Sequence, residues 1–266
     1  MTGQQKNPRD LFDVAGKSIL LIGATGAYGR VGALALGAAG AHLTLAAGGS
    51  EALEKVGEEV SALGARATTV NLRPDTPANA EALVAAAVGA HGGLDGLVLA
   101  SGVNIVSPVT ETDYENFKQV MEANVDGAWL ICQAAGRRFI EQGRGGKVAL
   151  ISSTRGKLGH PGGYVAYCTS KSAVDGLTRT LGCEWGRHGV NVNAIAPTVF
   201  RSDLTGWMFD EEGRGKEVRE GMLARIPLGR LGEPDDLVGA LIFLLSPASD
   251  FMTGQTMYVD GGYTAG

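Results

Sequence analysis

Short apolar or β-branched runs alternate along this chain with longer stretches in which apolar residues recur every three or four positions. The runs predict strands over residues 18–22, 42–46, 67–71, 96–100, 147–152, 190–196 and 256–259. The stretches between them predict helices over residues 30–39, 50–63, 78–91, 113–141, 164–188 and 234–245. Runs that are apolar throughout suit strands buried on both faces. The alternation therefore predicts an α/β fold, a doubly wound parallel sheet of about seven strands with helices on both sides. Ser50 followed by Glu51 reads as a helix N-cap, and Pro234 stands where a first-turn proline is tolerated. Residues 198–226 break the rhythm. They mix charge and glycine with Phe200, Trp207, Met208, Phe209 and Met222, show no strand pattern, and read as a lid or binding loop. No internal repeat or low-complexity tract is evident.

A chain of 266 residues suits one domain spanning residues 1–266, with residues 1–13 as a polar leader. The 41 glycines are spread through periodic segments, which fits close backbone packing rather than disorder. With 23 basic and 28 acidic residues the formal charge is −5, and no cationic stripe forms, so nucleic acid is not an expected partner. The longest aliphatic runs, residues 19–22 and 241–245, are too short to cross a bilayer, and the leader has no apolar core. The expectation is a soluble, unexported protein. Cys132, Cys168 and Cys183 have no metal-ligand spacing, and their odd number argues against a disulfide framework. A reduced, cytoplasmic compartment and no metal follow as expectations.

Two segments carry candidate chemistry. Tyr167-Cys168-Thr169-Ser170-Lys171, taken with Ser152-Ser153, supplies a phenol, an ammonium group and a hydroxyl. Residues four apart share a helix face, so Lys171 is expected to stabilise the Tyr167 phenolate. Bringing a phenol from near 10 to roughly 7 requires about 4 kcal/mol of differential stabilisation. Tyr164 lies about 10.5 Å from Lys171 along a helix and Tyr167 about 6 Å, which favours Tyr167 as the acid. Ser152 and Ser153 alternate across a strand, so they cannot both face one site. A Tyr–Lys pair alone is also an ordinary solvated helix pair. Upstream, residues 19–22 lead into Gly23-Ala24-Thr25-Gly26-Ala27-Tyr28-Gly29 and an alanine-rich helix. A strand, glycine turn and helix N-terminus in that order can present backbone amides to a pyrophosphate.

Together these motifs resemble the short-chain dehydrogenase/reductase family over nearly the whole chain. Against the family's TGxxxGxG, Ile22 stands at the Thr and Ala27 at the middle Gly, with Gly23 and Gly29 kept; Gly26 offers a compensating spacing. Leu99-Ala100-Ser101-Gly102 stands in place of NNAG, and Asp260-Gly261-Gly262 closes the last strand. The resemblance implies that Tyr167 is the general acid–base, that Ser153 positions the carbonyl, and that Lys171 lowers the phenol pKa and holds ribose. It implies that Asn124 anchors a water relay; a helix-interior amide at a local kink is the alternative for that residue. It places the cofactor along Gly23, Thr25, Gly26, Tyr28 and Gly29, then Ala47, Gly48, Asn71 and Leu72. Ala100, Ser101, Gly102, Tyr167, Lys171, Pro197, Val199 and Ser202 complete that path. It also implies reversible hydride transfer between nicotinamide and a secondary alcohol or ketone; a polar hydroxy compound such as a sugar acid, or a small hydroxy ketone, is the expected substrate.

The carboxylate that accepts from the adenosine ribose in NAD users is replaced by Ala47, while Gly48 and Gly26 occupy the family's usual basic positions. NADP or dual use with NAD is expected, with amides near Gly49-Ser50 holding the phosphate. His160, Tyr164, Arg201 and Trp207 fall in the substrate rim, where Arg201 is a candidate for a carboxylate or polyol and equally for a surface salt bridge. A homotetramer is implied. Two other classes stay open: a nucleotide-sensing protein on a degenerate scaffold, and a sugar-nucleotide epimerase or dehydratase. The latter class needs a larger C-terminal substrate domain than the four residues after Gly262.

Overall fold

The computed structural model describes residues 7–202, 205–210 and 212–266, so Asp203, Leu204 and Glu211 of the expected lid lie outside the described residues. Seven strands form one parallel sheet in the order β3-β2-β1-β4-β5-β6-β7. They are β1 (Ser18–Ile22), β2 (His42–Ala46), β3 (Ala67–Val70), β4 (Gly96–Leu99), β5 (Gly146–Ile151), β6 (Val190–Pro197) and β7 (Thr256–Val259). The strand alternation sorts β1 between two cores. Ile19 and Leu21 pack with helices α1 (Ala27–Ala38), α2 (Ser50–Ala62) and α8 (Val238–Leu245). Leu20 and Ile22 pack on the other face with α3 (Pro77–His91), α5 (Gly127–Gln142) and α6 (Val165–Trp185). The expected α/β architecture is observed.

Two boundaries differ from the sequence reading in informative ways. Ser50 is the first residue of α2, and Gly49 occupies the cap with a φ of 111° and no capping side chain; its N–H donates to Asn71 Oδ1 at 3.0 Å. The helix expected over residues 113–141 is divided into α4 (Tyr114–Met121), a π-turn at Glu122–Asp126, and α5. A π-turn accommodates an extra residue without disturbing the helical period on either side, which makes it invisible to periodicity.

Residues 198–226 hold structure of their own. They contain a 3-10 turn at Gly206–Phe209 and α7 (Arg214–Leu223), and Phe200 forms an isolated parallel bridge with Gly232. Met208, Met222 and Ile226 join Leu231 and Tyr263 in a third small core, while Phe200 packs into the α1–α8 side of the sheet. Several apolar residues that read as a lid face are thus interior.

The turn after β1 is held by close backbone approach. Gly23 has a φ of 85°, and a Cβ there would come within 2.5 Å of Ser101 N. A Cβ on Gly29 would run into the Gly23 carbonyl, 2.8 Å from its carbon, whereas one on Gly26 would meet only the Gly23 oxygen at 3.5 Å. Gly29→Ala is therefore expected to lower stability in urea unfolding by at least about 2 kcal/mol despite alanine's better helix propensity, and Gly26→Ala by less than about 0.5 kcal/mol. A stable Gly29→Ala would contradict this packing.

Candidate active site

The glycine turn lies where the sheet order reverses between β1 and β4, and a crevice opens at such a switch point beyond the carboxyl ends of the strands. Gly23 and Ala24 donate their N–H groups to the Ala46 carbonyl at 2.7 and 3.1 Å, joining the turn to the end of β2. Ala100 donates to the Ile22 carbonyl at 2.9 Å, bringing the segment Ala100, Ser101 and Gly102 against Gly23. No side chain caps α1, so its first amides are not satisfied by a local cap. Gly26 is exposed beside them, and Thr25 is half-buried. Tyr28 packs edge-on against Phe200 at 5.7 Å between centroids, and burial pushes its phenol well above the ordinary value.

At the outer end of the crevice Ala47 is buried, and Asn71 bridges to Gly49 as described. Leu72 packs on the α3 face of the sheet. The position of Arg73 was not foreseen. A Cβ on Gly48 would lie 2.8 Å from Arg73 Cζ, so the guanidinium rests on the Gly48 backbone.

The other side of the crevice is built from β5, α6 and the π-turn. Ser152 and Ser153 diverge as strand alternation requires. Ser152 is buried with its Oγ 3.4 Å from the Lys171 carbonyl, while the Ser153 Oγ accepts from Arg155 N in capping the turn Thr154–Gly156 and acts to lower the pKa of the Tyr167 phenol. Lys171 is only 4% exposed; its Nζ donates to the Ile151 carbonyl at 2.8 Å and sits 5.6 Å from the Tyr167 ring centroid. Asn124, 3% exposed, lies in the π-turn. Its Oδ1 accepts from Val103 N at 2.8 Å, and its Nδ2 donates to the Val103 carbonyl at 2.9 Å and to Ser170 Oγ at 3.0 Å. Ser170 Oγ in turn donates to the Tyr167 carbonyl at 2.8 Å. A Cβ on Gly102 would come within 3.3 Å of Asn124 Oδ1 and 3.4 Å of Lys171 Nζ, so both side chains converge on that glycine.

The electrostatics of the protein alone set the starting point for the chemistry of the site. Burial is the largest influence on Tyr167 and raises its pKa; the Ser153 hydrogen bond and the charge of Arg155 oppose it. Lys171 directs its ammonium to the Ile151 carbonyl, and burial brings its own pKa down to about 8, against the charge of Asp175. In the protein alone the phenol is thus a buried acid above its ordinary range rather than a phenolate held near neutrality.

Around the rim, His160 and Tyr164 contact each other edge-on at 4.4 Å, and His160 Nδ1 accepts from Gly162 N at 3.0 Å. Arg201 is engaged elsewhere. It pairs with Glu233 at 3.1 Å and lies 3.7 Å over the Phe209 ring, so the surface salt bridge is the reading its geometry supports. Pro197 ends β6, Val199 accepts from Gly232 N at 3.0 Å, and the Ser202 hydroxyl shares a 3.0 Å hydrogen bond with that of Thr205. Trp207 remains 43% exposed with the Arg214 guanidinium 6.0 Å over its ring. Arg155 was missed by the sequence reading: it donates to the Gly159 carbonyl and to the Tyr263 hydroxyl, and its charge lowers the pKa values of both Tyr167 and His160.

Comparison with known proteins places this geometry in a family. A family model described as Enoyl-(Acyl carrier protein) reductase matches residues 23–264. The chain is 58% identical over 255 residues to an uncharacterized oxidoreductase of Mycobacterium tuberculosis, covering 96% of this chain and 93% of that one. It is 37% identical over 256 residues to the 2-dehydro-3-deoxy-D-gluconate 5-dehydrogenase of Dickeya dadantii, covering 96% and 98% of the two chains. The crystal structure of a gluconate 5-dehydrogenase from Burkholderia cenocepacia in complex with NADP and tartrate superposes with a TM-score of 0.91 at 29% identity, covering 98% of this chain and all of that one. With its glycine turn at the switch point and its serine, tyrosine and lysine gathered at the end of β5, the chain belongs to the short-chain dehydrogenase/reductase family.

Proposed function

We propose that this protein is an NAD(P)-dependent dehydrogenase that interconverts a secondary alcohol and a ketone on a polyhydroxy carboxylate of the sugar-acid class. The observation that carries this reading is the buried Lys171 ammonium, held on the Ile151 carbonyl and 5.6 Å from the Tyr167 ring centroid, at the end of the strand that leads into Ser153. The residues at the switch point fit a dinucleotide: the Gly23 and Gly29 approaches leave no room for a Cβ against the protein, while Gly26 has open space beside the uncapped start of α1. When bound, the nicotinamide supplies the hydride or accepts it.

Tyr167 exchanges the proton at the substrate oxygen, and its raised pKa keeps it protonated and ready to donate in the reducing direction. Ser153 holds that oxygen and the phenol in one hydrogen-bonded line. Lys171, charged at neutral pH, sits where it can hold a ribose hydroxyl and favour the phenolate as the proton leaves. Asn124 fixes Val103 and Ser170, and so anchors the loop and helix on which a water relay would depend. Among the rim cations, Arg155 takes the place first assigned to Arg201 as the group for a substrate carboxylate, since its charge reaches Tyr167 and His160.

A sugar-acid substrate is also supported by the relatives, two of which carry gluconate or a deoxygluconate in their names. The Burkholderia relative was crystallised with NADP, which supports a nicotinamide nucleotide here. Trp129 and Ile140 on α5, with Val165 on α6, are large apolar side chains left at the surface and support the homotetramer reading as a face for another copy of this chain. Among the described residues no helix is long and apolar enough to cross a membrane, and the three cysteines are unpaired, which supports a cytoplasmic setting.

The test is steady-state kinetics at 340 nm with gluconate, its keto derivatives and hexitols. Tyr167→Phe should lower kcat by at least about 10²-fold with nucleotide affinity retained, and Ser153→Ala should lose more turnover than Ser152→Ala or Tyr164→Phe. Near-normal turnover in Tyr167→Phe would remove the mechanism. Nucleotide binding with no net absorbance change on any hydroxy or keto substrate would favour a sensor or an epimerase. Trp207→Ala tests the segment after β6: kcat/KM should fall about tenfold with nucleotide affinity unchanged, and unaltered kinetics would leave it a surface loop.

A further inference from the structure

The carboxyl end of β2 is the position from which a dinucleotide-binding fold discriminates at the adenosine ribose. A carboxylate there accepts from a 2′-hydroxyl and repels a 2′-phosphate, while a nearby arginine accommodates the phosphate. Here β2 ends at Ala46, followed by Ala47, Gly48 and Gly49, and none of these carries a charge. The charge at this place comes from the neighbouring strand. β3 pairs parallel with β2 and aligns Val70 with Ala46, so the two chains leave the sheet side by side. Asn71 links them through the Gly49 N–H. Two residues on, the Arg73 guanidinium lies against the Gly48 backbone, where a Cβ would stand 2.8 Å from both Cζ and Nη2. Glycine at position 48 lets the guanidinium lie directly on the backbone, where a Cβ would push it away.

Arg73 is also chemically available. Among the described residues Arg30, Arg137, Arg138, Arg144, Arg201 and Arg230 are each paired with a carboxylate, whereas Arg73 is exposed and makes no ion pair or hydrogen bond. The nearby carboxylates of Asp75 and Glu54 hydrogen-bond to Asn79 and Thr69. A planar guanidinium with its donors unengaged is suited to a phosphate monoester, which it can bind through two parallel hydrogen bonds.

We propose that Arg73, supplied by the end of β3 and seated on Gly48, binds the 2′-phosphate of NADP and makes this chain favour NADP over NAD. The proposal rests on the nucleotide reading given above and adds the residue that discriminates. It differs from the expectation that the amides near Gly49-Ser50 hold the phosphate alone, because the specificity lies in a side chain whose removal leaves the rest of the nucleotide site intact.

The test measures binding rather than turnover. Dissociation constants for NADPH and NADH are obtained by fluorescence titration, and those for 2′,5′-ADP and 5′-AMP by calorimetry, on the wild type, Arg73→Ala and Arg73→Lys at one ionic strength. The wild type should bind NADPH at least about tenfold tighter than NADH. Arg73→Ala should weaken NADPH and 2′,5′-ADP by about tenfold or more while changing NADH and 5′-AMP by less than about twofold, with Arg73→Lys between the two. Added salt should weaken NADPH more than NADH in the wild type and erase that difference in Arg73→Ala. A wild type that prefers NADH, or an Arg73→Ala variant that weakens both nucleotides equally or neither, overturns the assignment while leaving the nucleotide site standing. Failure of the wild type to bind any of the four probes would instead overturn the nucleotide reading itself.

Discussion

A buried ammonium group organises this site. Lys171 lies almost entirely out of solvent, and a charge in that position is tolerated only when its hydrogen bonds are made. It donates to the Ile151 carbonyl at the last residue of β5, with Asp175 one turn further along α6 as the opposing charge. That hydrogen bond pins the start of α6 to the end of β5, and from it the other groups take their positions. Tyr167 stands one turn earlier with its ring beside the ammonium, and Ser153 two residues beyond Ile151 meets the phenol. Gly102 passes close enough to Lys171 and Asn124 that a side chain there would press on both.

The scaffold makes this arrangement rigid. Seven parallel strands with a core on each face leave the strand ends as the place where chain segments can converge, and the glycine turn brings β1, β2 and β4 together through backbone hydrogen bonds. Residues 198–226 close one flank with a core of their own, in which Tyr263 packs with Met208 and Met222. The guanidinium groups of Arg155 and Arg225 stand 5.6 and 4.4 Å from the Tyr263 ring, so the chain after β7 supports that flank of the crevice.

What the sequence made legible was local. Strand alternation separated Ser152 from Ser153, helix rise put the Tyr167 ring beside Lys171, and the apolar runs marked all seven strands. What it left hidden was tertiary. The π-turn around Asn124 keeps the helical period, so no pattern announces it, and the amide holds that break by bonding Val103 and Ser170. The direction of the Tyr167 shift depends on burial, which spacing does not report. Arg201 is taken by Glu233, far along the chain, and Arg73 reaches Gly48 only because β2 and β3 are paired. Each miss is a contact between segments distant in sequence.

The central claim, that a desolvated Lys171 ammonium holds the site together, is tested most directly by titrating that one group. In protein labelled at the lysine ε-carbon, with the resonance assigned through Lys171→Met, burial predicts a transition near the value of about 8 rather than at the ordinary 10.5. The group should be mostly charged at pH 7 and lose its proton as pH rises through that value. A Lys171 resonance that titrates with the exposed lysines would mean that the ammonium is solvated, and would contradict the arrangement on which the account rests.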